Sequence, residues 1–193
     1  QRITDVIHDR FAIPFVHIFT VHNGRRKVIY EAGSGLRARS SKPNAYAYTL
    51  DAKEGIIPEV ARTGKTYLAR DVTRDALYKP SRFYAAEIRS ELTVPLKFGD
   101  EVLGILDLQS DAADAFNTID IEVFESLASG IALSMRNATL YRTEKWRRNV
   151  ADSFKEIASM LSSNLALPDL LEHILIALET HLPCDASAIW LLD

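Results

Sequence analysis

The segment from Thr118 to Ser163 constrains the fold of this chain more than any other feature. It contains no proline and a single glycine, Gly130, although these two residues most often interrupt helices. Its length far exceeds the roughly 11–12 residues of an average α-helix. The segment is therefore predicted to form one long helix, which at about 1.5 Å per residue would extend roughly 65–70 Å. A compact domain of ordinary size cannot cover such a helix from end to end.

The apolar residues of this predicted helix fall into two sets. Between Tyr141 and Trp146 the step is five residues, about 140° around the helix axis, and the gap is charged. We therefore expect the first set to pack against the sheet of the domain and the second set to face elsewhere. The first set is Phe124, Leu127, Ile131, Met135 and Ala138. The second set is Trp146, Val150, Phe154, Ile157 and Leu161.

The side chains of the second set would form an unusually large apolar patch on an isolated helix. We expect a second copy of the chain to cover them in a parallel homodimer, through which the helix carries a signal. The spacing favours a short coiled-coil-like seam, although it is not a clean heptad repeat. A second domain copy in the same chain, or a helix that folds back on its own domain, would also cover these residues.

Runs rich in β-branched and aromatic residues precede this helix and indicate strands joined by short turns. Asn23-Gly24 is a strong hairpin signal. Hairpins with inserted helices favour an α+β fold with an antiparallel sheet. The predicted strands are Phe15 to Val21, Val28 to Ala32, Thr66 to Ala69, Leu92 to Phe98 and Glu101 to Ser110. The helical spacing of Ile3, Val6 and Ile7 predicts that the chain starts inside a helix. Two further short helices are predicted: Ile56 to Ala61, which Gly64 closes, and Ser81 to Arg89.

The strand around Thr93 has an alternating pattern. Leu92, Val94, Leu96 and Phe98 alternate with Glu91, Thr93, Pro95 and Lys97. Such alternation predicts one buried face and one solvent-exposed face. Because proline lacks a backbone N–H, Pro95 predicts a bulge or a position at the sheet edge.

The end of the chain is similar to its beginning. Leu170 to Leu178 predicts an amphipathic helix and Ala186 to Leu192 predicts a strand, the order also found at the N-terminus. We therefore predict a domain over residues 1–141 and an extended linker helix over residues 142–163. Residues 164–193 are predicted to begin a second, truncated copy of the domain.

The composition excludes several classes of protein. The net charge of −3 and the pI of about 6.0 do not indicate a nucleic-acid-binding domain. The single cysteine, Cys184, cannot form an internal disulfide, which favours a cytoplasmic protein. No apolar run approaches the ~20 residues that cross a bilayer, so no membrane contact is predicted for this fragment.

From about Ile3 to Tyr141, the chain resembles the GAF domain family. The resemblance rests on the order and spacing of several short segments. The clearest are Ser90 to Leu96 and Gly104 to Ser110. The resemblance implies a central antiparallel sheet of about five to six strands with helices on one side and a pocket on the other, followed by the long helix. The other similar segments are Phe15 to Phe19, Ala32 to Gly35, Ala61 to Lys65, Asp71-Val72, Asp75 to Tyr78, Phe116, Asp120 and Asn137 to Tyr141.

The resemblance implies a non-catalytic sensory domain of a bacterial signalling protein, often in tandem. Such a domain binds a small molecule or relays a signal to a kinase, cyclase or phosphatase outside this chain. A dimerisation module without a ligand and an enzyme on the same fold are the alternatives. Family members that reduce free methionine sulfoxide need several cysteines around the pocket, and none precedes Cys184 here. The pattern of cyclic-nucleotide-binding members is matched only at Phe116 and Asp120.

The region from Thr66 to Arg89 is the expected wall of a ligand pocket. Its mixture of aromatic and charged residues favours a polar small molecule on an apolar floor. In the alternative interpretation, the tyrosines only cover the sheet and the charges are solvated. The candidate pocket residues are Tyr67, Asp71, Tyr78, Arg82, Tyr84 and Glu87.

Other motifs in the sequence indicate no cofactor. Gly64-Lys65-Thr66 is similar to the end of a phosphate-binding loop, but Glu59 stands where that motif needs its first glycine. We interpret Gly64 as a helix cap. The five histidines lack the spacing of a metal site, so the cofactor, if there is one, stays unknown.

Overall fold

The computed structural model of the chain describes residues 3–35, 47–80, 87–161, 167–181 and 186–190. The side chains of residues 156, 157, 160, 161, 178, 180 and 181 lie outside this description. The chain divides into two compact units, Gln1–Arg136 and Asn137–Asp193. No helix among the described residues is both long enough and apolar enough to cross a membrane.

The first unit is built on a six-stranded sheet in the order β3-β2-β1-β6-β5-β4. Every neighbouring pair is antiparallel, which confirms the predicted α+β class. The strands are β1 (Phe15–His22), β2 (Lys27–Ser34), β3 (Ala47–Thr49), β4 (Tyr67–Ala69), β5 (Ser90–Phe98) and β6 (Glu101–Ser110). The helices of the chain are α1 (Ile3–Phe11), α2 (Ile56–Thr63), α3 (Thr118–Leu161) and α4 (Leu167–His181).

The strand β1 lies between β2 and β6, as its apolar residues on both faces predicted. A 3-10 turn at Asn23–Arg25 connects it to β2 and confirms the predicted hairpin. The hairpin from β5 to β6 turns at Gly99, whose φ of 59° is left-handed. Glycine adopts this conformation without the steric cost that a Cβ would add.

Different helices cover the two faces of the sheet. On one face, which we call the α1/α3 face, Val16 and Leu106 share a core with Ile7 of α1 and Phe124 of α3. On the other, the α2 face, residues such as Phe19 and Ile105 pack against α2. Successive side chains of a strand point to opposite faces, so the same strands supply both cores.

The prediction of one exposed face for β5 is wrong. All residues from Ser90 to Leu96 are buried, whereas Phe98 is largely exposed. The strand lies inside the sheet between β4 and β6, and both of its faces are covered. Pro95 is therefore not at an edge. Pro95 pairs regularly with Ile105, and the register shifts only between Leu96 and Lys97, so the irregularity lies next to Leu96 rather than at Pro95.

The long helix is confirmed, since α3 runs from Thr118 to Leu161. Asn117 begins it as a cap, because its Oδ1 accepts from the backbone N–H groups of Ile119 and Asp120. The buried residues of its first part are Phe124, Ala128 and Ala132, and those partly buried against the same core include Leu127, Ile131 and Met135. The first apolar set therefore packs on the sheet except for Ala138, which is exposed.

Two further predictions differ from the structure. The sequence predicts a strand from Ala186 to Leu192, but residues 186–190 do not form one. Residues 191–193 lie outside the described residues. A strand needs a neighbour to complete its hydrogen bonds, and the described residues pair no strand with it. Residues 87–89 are not helical, and the rest of the helix predicted from Ser81 to Arg89 lies outside the description. The amphipathic helix predicted around Leu170 to Leu178 is confirmed as α4.

Candidate functional site

Five polar side chains lie buried on the α2 face, at the end of the sheet where β1 and β5 begin and β6 ends. They belong to three adjacent strands in the middle of the sheet. Ordinary strand residues at such positions are apolar, so this group is the most unusual feature of the sheet. We call it the buried polar cluster: His17, Glu91, Thr93, Asp107 and Gln109.

The strand register alone brings these residues together. His17 lies opposite Asp107 in the β1–β6 pair. Thr93 lies opposite Asp107, and Glu91 opposite Gln109, in the β5–β6 pair. Directly opposite residues of antiparallel strands project from the same face and interact.

Asp107 is the centre of the cluster and is fully buried. Its Oδ2 atom lies 3.0 Å from Nδ1 of His17 and accepts a hydrogen bond of 2.9 Å from Nε2 of Gln109. Its Oδ1 atom lies 3.2 Å from the Thr93 hydroxyl oxygen, which is also 3.2 Å from Oε1 of Glu91. A hydroxyl carries one hydrogen, so Thr93 can donate to only one of these two carboxyl groups at a time.

The surroundings of the Glu91 side chain favour its neutral form. Burial raises the pKa of Glu91 well above its ordinary value, and the neighbouring Asp107 carboxyl raises this pKa further. Asp75 acts in the same direction, while the hydrogen bond from Thr93 acts against it. Two carboxyl groups in one buried site resist ionising together. A protonated Glu91 can also donate a hydrogen bond, which satisfies the geometry around Thr93.

Aromatic rings surround the His17 side of the cluster. The His17 ring lies 6.2 Å from Tyr30 and 6.4 Å from Phe19, and the Phe19 ring also contacts Tyr48. Gly33 makes this arrangement possible. A Cβ atom there would lie 2.7 Å from the Tyr30 hydroxyl and 2.8 Å from the His17 ring, so a larger residue would displace both side chains.

Two of the predicted pocket residues lie on this same face. Tyr67 and Tyr78 are partly buried against the α2-face core. The Tyr67 hydroxyl donates to the Asp75 carboxylate at 3.0 Å, and burial, followed by this hydrogen bond, raises the pKa of Tyr67. The predicted pocket residues Arg82 and Tyr84 lie outside the described residues.

Asp71 and Glu87 have other surroundings. The Asp71 carboxylate caps a 3-10 turn by accepting from the hydroxyl and the backbone N–H of Thr73, and it pairs with Arg89 at 3.2 Å. The Thr73 hydroxyl, followed by Arg89, lowers the pKa of Asp71 to about 2. Glu87 is exposed. Asp71 therefore stabilises a turn and Glu87 faces solvent, and neither carboxylate belongs to the buried polar cluster.

Two motifs considered in the sequence have structural roles. Gly64 ends α2 with a left-handed φ of 62°, and its N–H donates to the Val60 carbonyl, which confirms the helix cap. Asp120 accepts from the backbone N–H of Asn117 at 2.8 Å and so stabilises the start of α3. Within the described ranges, no three His, Cys, Asp or Glu side chains are grouped as ligands of a metal ion.

The residues predicted for the dimer helix lie in the second unit. Trp146 and Phe154 are exposed, and Val150 is partly buried. The side chains of Ile157 and Leu161 lie outside the described residues. Phe154 exposes 68% of its surface, a large apolar area for a single side chain.

The buried polar cluster is not evident from the sequence alone. A signal was present, because Asp107 and Gln109 interrupt an otherwise apolar strand and His17 interrupts another. Glu91 and Thr93 were assigned to a solvent-exposed face instead. Only the strand order reveals that this face is covered.

The family model described as "GAF domain" matches residues 1–136 of the chain. No curated protein matches it. Three solved structures illustrate the similarity of fold. The GAF domain of a phosphoenolpyruvate-protein phosphotransferase from Coxiella burnetii superposes with a TM-score of 0.66 at 17% identity, covering 73% of this chain and 82% of that one.

The second GAF domain of DevS from Mycobacterium smegmatis gives a TM-score of 0.57 at 15% identity and covers 73% and 93% of the two chains. The type II free methionine-R-sulfoxide reductase from Thermoplasma acidophilum gives 0.56 at 21% identity and covers 67% and 84%. The shared fold thus occurs both in GAF domains of larger proteins and in a reductase.

Proposed function

The chain belongs to the GAF domain family, and from this premise we propose that it is a non-catalytic sensory domain of a signalling protein. It binds a small polar molecule at the buried polar cluster and relays the bound state through α3. The cytoplasm is the compartment that a single cysteine fits best.

The buried polar cluster carries the proposal. Burying carboxyl, imidazole and amide groups costs several kcal/mol unless they are well paired, and an apolar replacement of similar shape is often as stable. A group that folding alone does not require, containing a strongly perturbed Glu91, is a candidate binding site. Its hydrogen-bonding groups on an aromatic floor suit a polar ligand.

The cysteine content supports binding without catalysis. Reducing a sulfoxide to a thioether takes two electrons, which thiols supply by forming a disulfide. This chain has one cysteine, Cys184, and cannot form such a bond by itself. This favours binding over sulfoxide reduction, although the chain shares its fold with a methionine sulfoxide reductase.

The helix α3 supports the relay. Its first part packs on the sheet beneath the cluster's strands, so a change in the sheet can act on this helix, which continues to Leu161. The exposed Trp146 and Phe154 favour a homodimer along this helix. The output domain would lie outside this chain.

Native mass spectrometry of the protein purified from its own host tests the proposal. A retained small molecule is expected for the natural sequence. Asp107→Asn should reduce its occupancy, whereas Asp100→Asn, at an exposed turn, should not. If the protein purified from its own host shows only the mass of the polypeptide, with no bound molecule, the result would contradict ligand sensing. It would instead favour a structural dimerisation module.

A further inference from the structure

Carboxyl groups accumulate around the buried polar cluster. Burial raises the pKa of Glu91, and the charged groups that raise it further, Asp107 and Asp75, are both carboxyls. The same holds for Tyr67, whose pKa is raised by burial and then by the carboxyls of Asp75, Glu59 and Glu91. The α2 face around the cluster is therefore rich in acidic groups.

The basic side chains near the cluster do not offset these acids. Arg89, close to Glu91 in the chain, pairs with Asp71, and Arg62 of α2 pairs with a glutamate of its own helix. Within the cluster, the group that can become positive is the His17 ring, whose Nδ1 lies 3.0 Å from the central carboxyl. One imidazole cannot balance two ionised carboxyl groups, so a bound cation would supply the charge that these side chains lack.

Aromatic rings flank the carboxyl groups on both sides along the sheet. On β1 and β2, the rings of Phe19 and Tyr30 lie 5.7 Å apart, and the Tyr30 ring lies 6.2 Å from His17. On the other side, Tyr67 of β4 is partly buried on the same face, and its hydroxyl donates to Asp75. The faces of aromatic rings attract cations, and rings grouped around a site bind organic ammonium ions. Carboxyls between aromatic rings thus favour an organic cation.

The remaining groups of the cluster suit an organic cation better than a metal ion. Among the residues that the structure describes, no three His, Cys, Asp or Glu side chains are grouped as metal ligands. A planar amidinium or guanidinium group carries several N–H donors, and a carboxylate accepts two of them in parallel. The side-chain oxygens of Thr93 and Gln109 lie in the same cluster and can accept further N–H groups.

We propose that the ligand of the buried polar cluster is a small organic cation with N–H donors, which binds in exchange for a proton of Glu91. The proposal rests on the proposed sensory function and names its class of ligand. The N–H groups of the cation donate to the carboxyls of Glu91 and Asp107, and Glu91 releases its proton to solvent. One positive charge enters as another leaves, so the two carboxyls are never ionised together without a compensating charge.

The exchange fixes the sign of the pH dependence. Burial, followed by the Asp107 carboxyl, raises the pKa of Glu91, and below that pKa the proton must leave before the cation is bound. The affinity for a cation should therefore rise with pH by up to about tenfold per pH unit, until the pH reaches the folded-state pKa of Glu91. The other titratable groups around Glu91 are Asp107, Asp75, Tyr67 and, beyond Asp107, His17.

Isothermal titration calorimetry of the full chain with three probes tests the proposal. Benzamidine, benzamide and benzoate are similar in size and shape, but they are positive, neutral and negative. At mildly acidic pH, benzamidine should bind with a dissociation constant at least about tenfold lower than that of benzamide, and benzoate should bind most weakly. Titrations in two buffers of different ionisation enthalpy should show that benzamidine, but not benzamide, releases protons.

Substitutions assign the proton to Glu91. Glu91→Gln has a similar shape but no proton to release, so it should bind benzamidine at least about tenfold more weakly and without the pH dependence. Asp100→Asn removes one carboxylate at an exposed turn and should bind like the natural protein. Should Glu91→Gln fail to fold, as judged by circular dichroism, Asp107→Asn repeats the test of affinity, and the proton release is measured on the natural protein alone.

Several outcomes would overturn the proposal. Tighter binding of benzamide or benzoate than of benzamidine contradicts a cation site, and so does binding of none of the three probes. Benzamidine that binds without proton release, or with a pH dependence that survives in Glu91→Gln, contradicts the exchange. The sensory function itself fails only if the natural protein also retains no molecule from its own host, so the two failures are distinguishable.

Discussion

The two faces of the central sheet differ in chemistry although the same strands build them. On β5, Leu92 and Val94 point to the α1/α3 face and join an apolar core, whereas Glu91 and Thr93 point to the α2 face and join a polar network. On β6, Leu106 and Asp107 divide in the same way. All of these residues are buried, so exposure to solvent does not explain the difference.

The contrast separates the face that is packed for stability from the face that carries hydrogen-bonding groups. The α1/α3 face anchors α1 and α3 through close packing, which is the ordinary way to stabilise a sheet. The α2 face keeps hydrogen-bonding groups where apolar residues would fold at least as well. The polar face therefore carries the groups that can exchange protons and hydrogen bonds, and the apolar face packs against the first part of α3.

The largest expected effect is on the apolar face. Leu106→Ala leaves a cavity in a fully buried core and should lower the free energy of unfolding by about 2–5 kcal/mol. Urea denaturation followed by circular dichroism measures this loss. Leu106→Met, which nearly conserves volume, should cost less than about 1.5 kcal/mol. If both variants unfold like the natural protein, the α1/α3 face is not the stabilising core.

Asp107→Asn on the polar face should have a smaller effect. The amide keeps the shape of the side chain, but an NH₂ group in place of Oδ2 would face His17 and the NH₂ group of Gln109. Leaving one buried donor unsatisfied costs about 1–3 kcal/mol. Asp100→Asn, at an exposed turn, controls for the loss of charge. A variant as stable as the natural protein would show that Asp107 is not the centre of the network.

The apolar α1/α3 face could be predicted from the sequence, whereas the polar cluster on the α2 face could not. The strands β1 and β6 and the helix α3 follow from residue patterns that span many residues. The alternating pattern of β5 shows only that its two faces differ in polarity. It does not show whether the polar face is exposed to solvent or buried. That depends on its neighbours, and β5 is internal because the three-residue strand β4 pairs with it.

Short and unpaired elements were hard to predict for a related reason. The strand β3 has three residues, Ala47–Thr49, too few for a periodic pattern to appear. Residues 186–190 have the composition of a strand but no paired neighbour among the described residues. Local composition predicted Tyr67 and Tyr78 as pocket residues, and the structure shows both partly buried against the α2-face core. The cluster itself arises from pairing between distant strands, which a single sequence does not display.

The last expected effect depends on pH and distinguishes the two faces most sharply. The pKa of Glu91 is raised in the folded state, so its contribution to stability is complete below the ordinary glutamate pKa. That contribution is lost as the pH rises through the folded value, by up to about 1.4 kcal/mol per pH unit in between. Glu91→Gln mimics the protonated carboxyl and should remove this slope.

At acidic pH the Glu91→Gln variant and the natural protein should therefore unfold alike, and at alkaline pH the variant should be the more stable. Urea titrations at several pH values measure the difference between the two curves. Glu87→Gln removes an exposed carboxylate four residues earlier and should follow the natural protein throughout. Leu106→Ala should shift the whole curve without changing its slope. If Glu91→Gln does the same, the carboxyl pair holds no proton of its own, and the polar face is only a packing surface like its opposite.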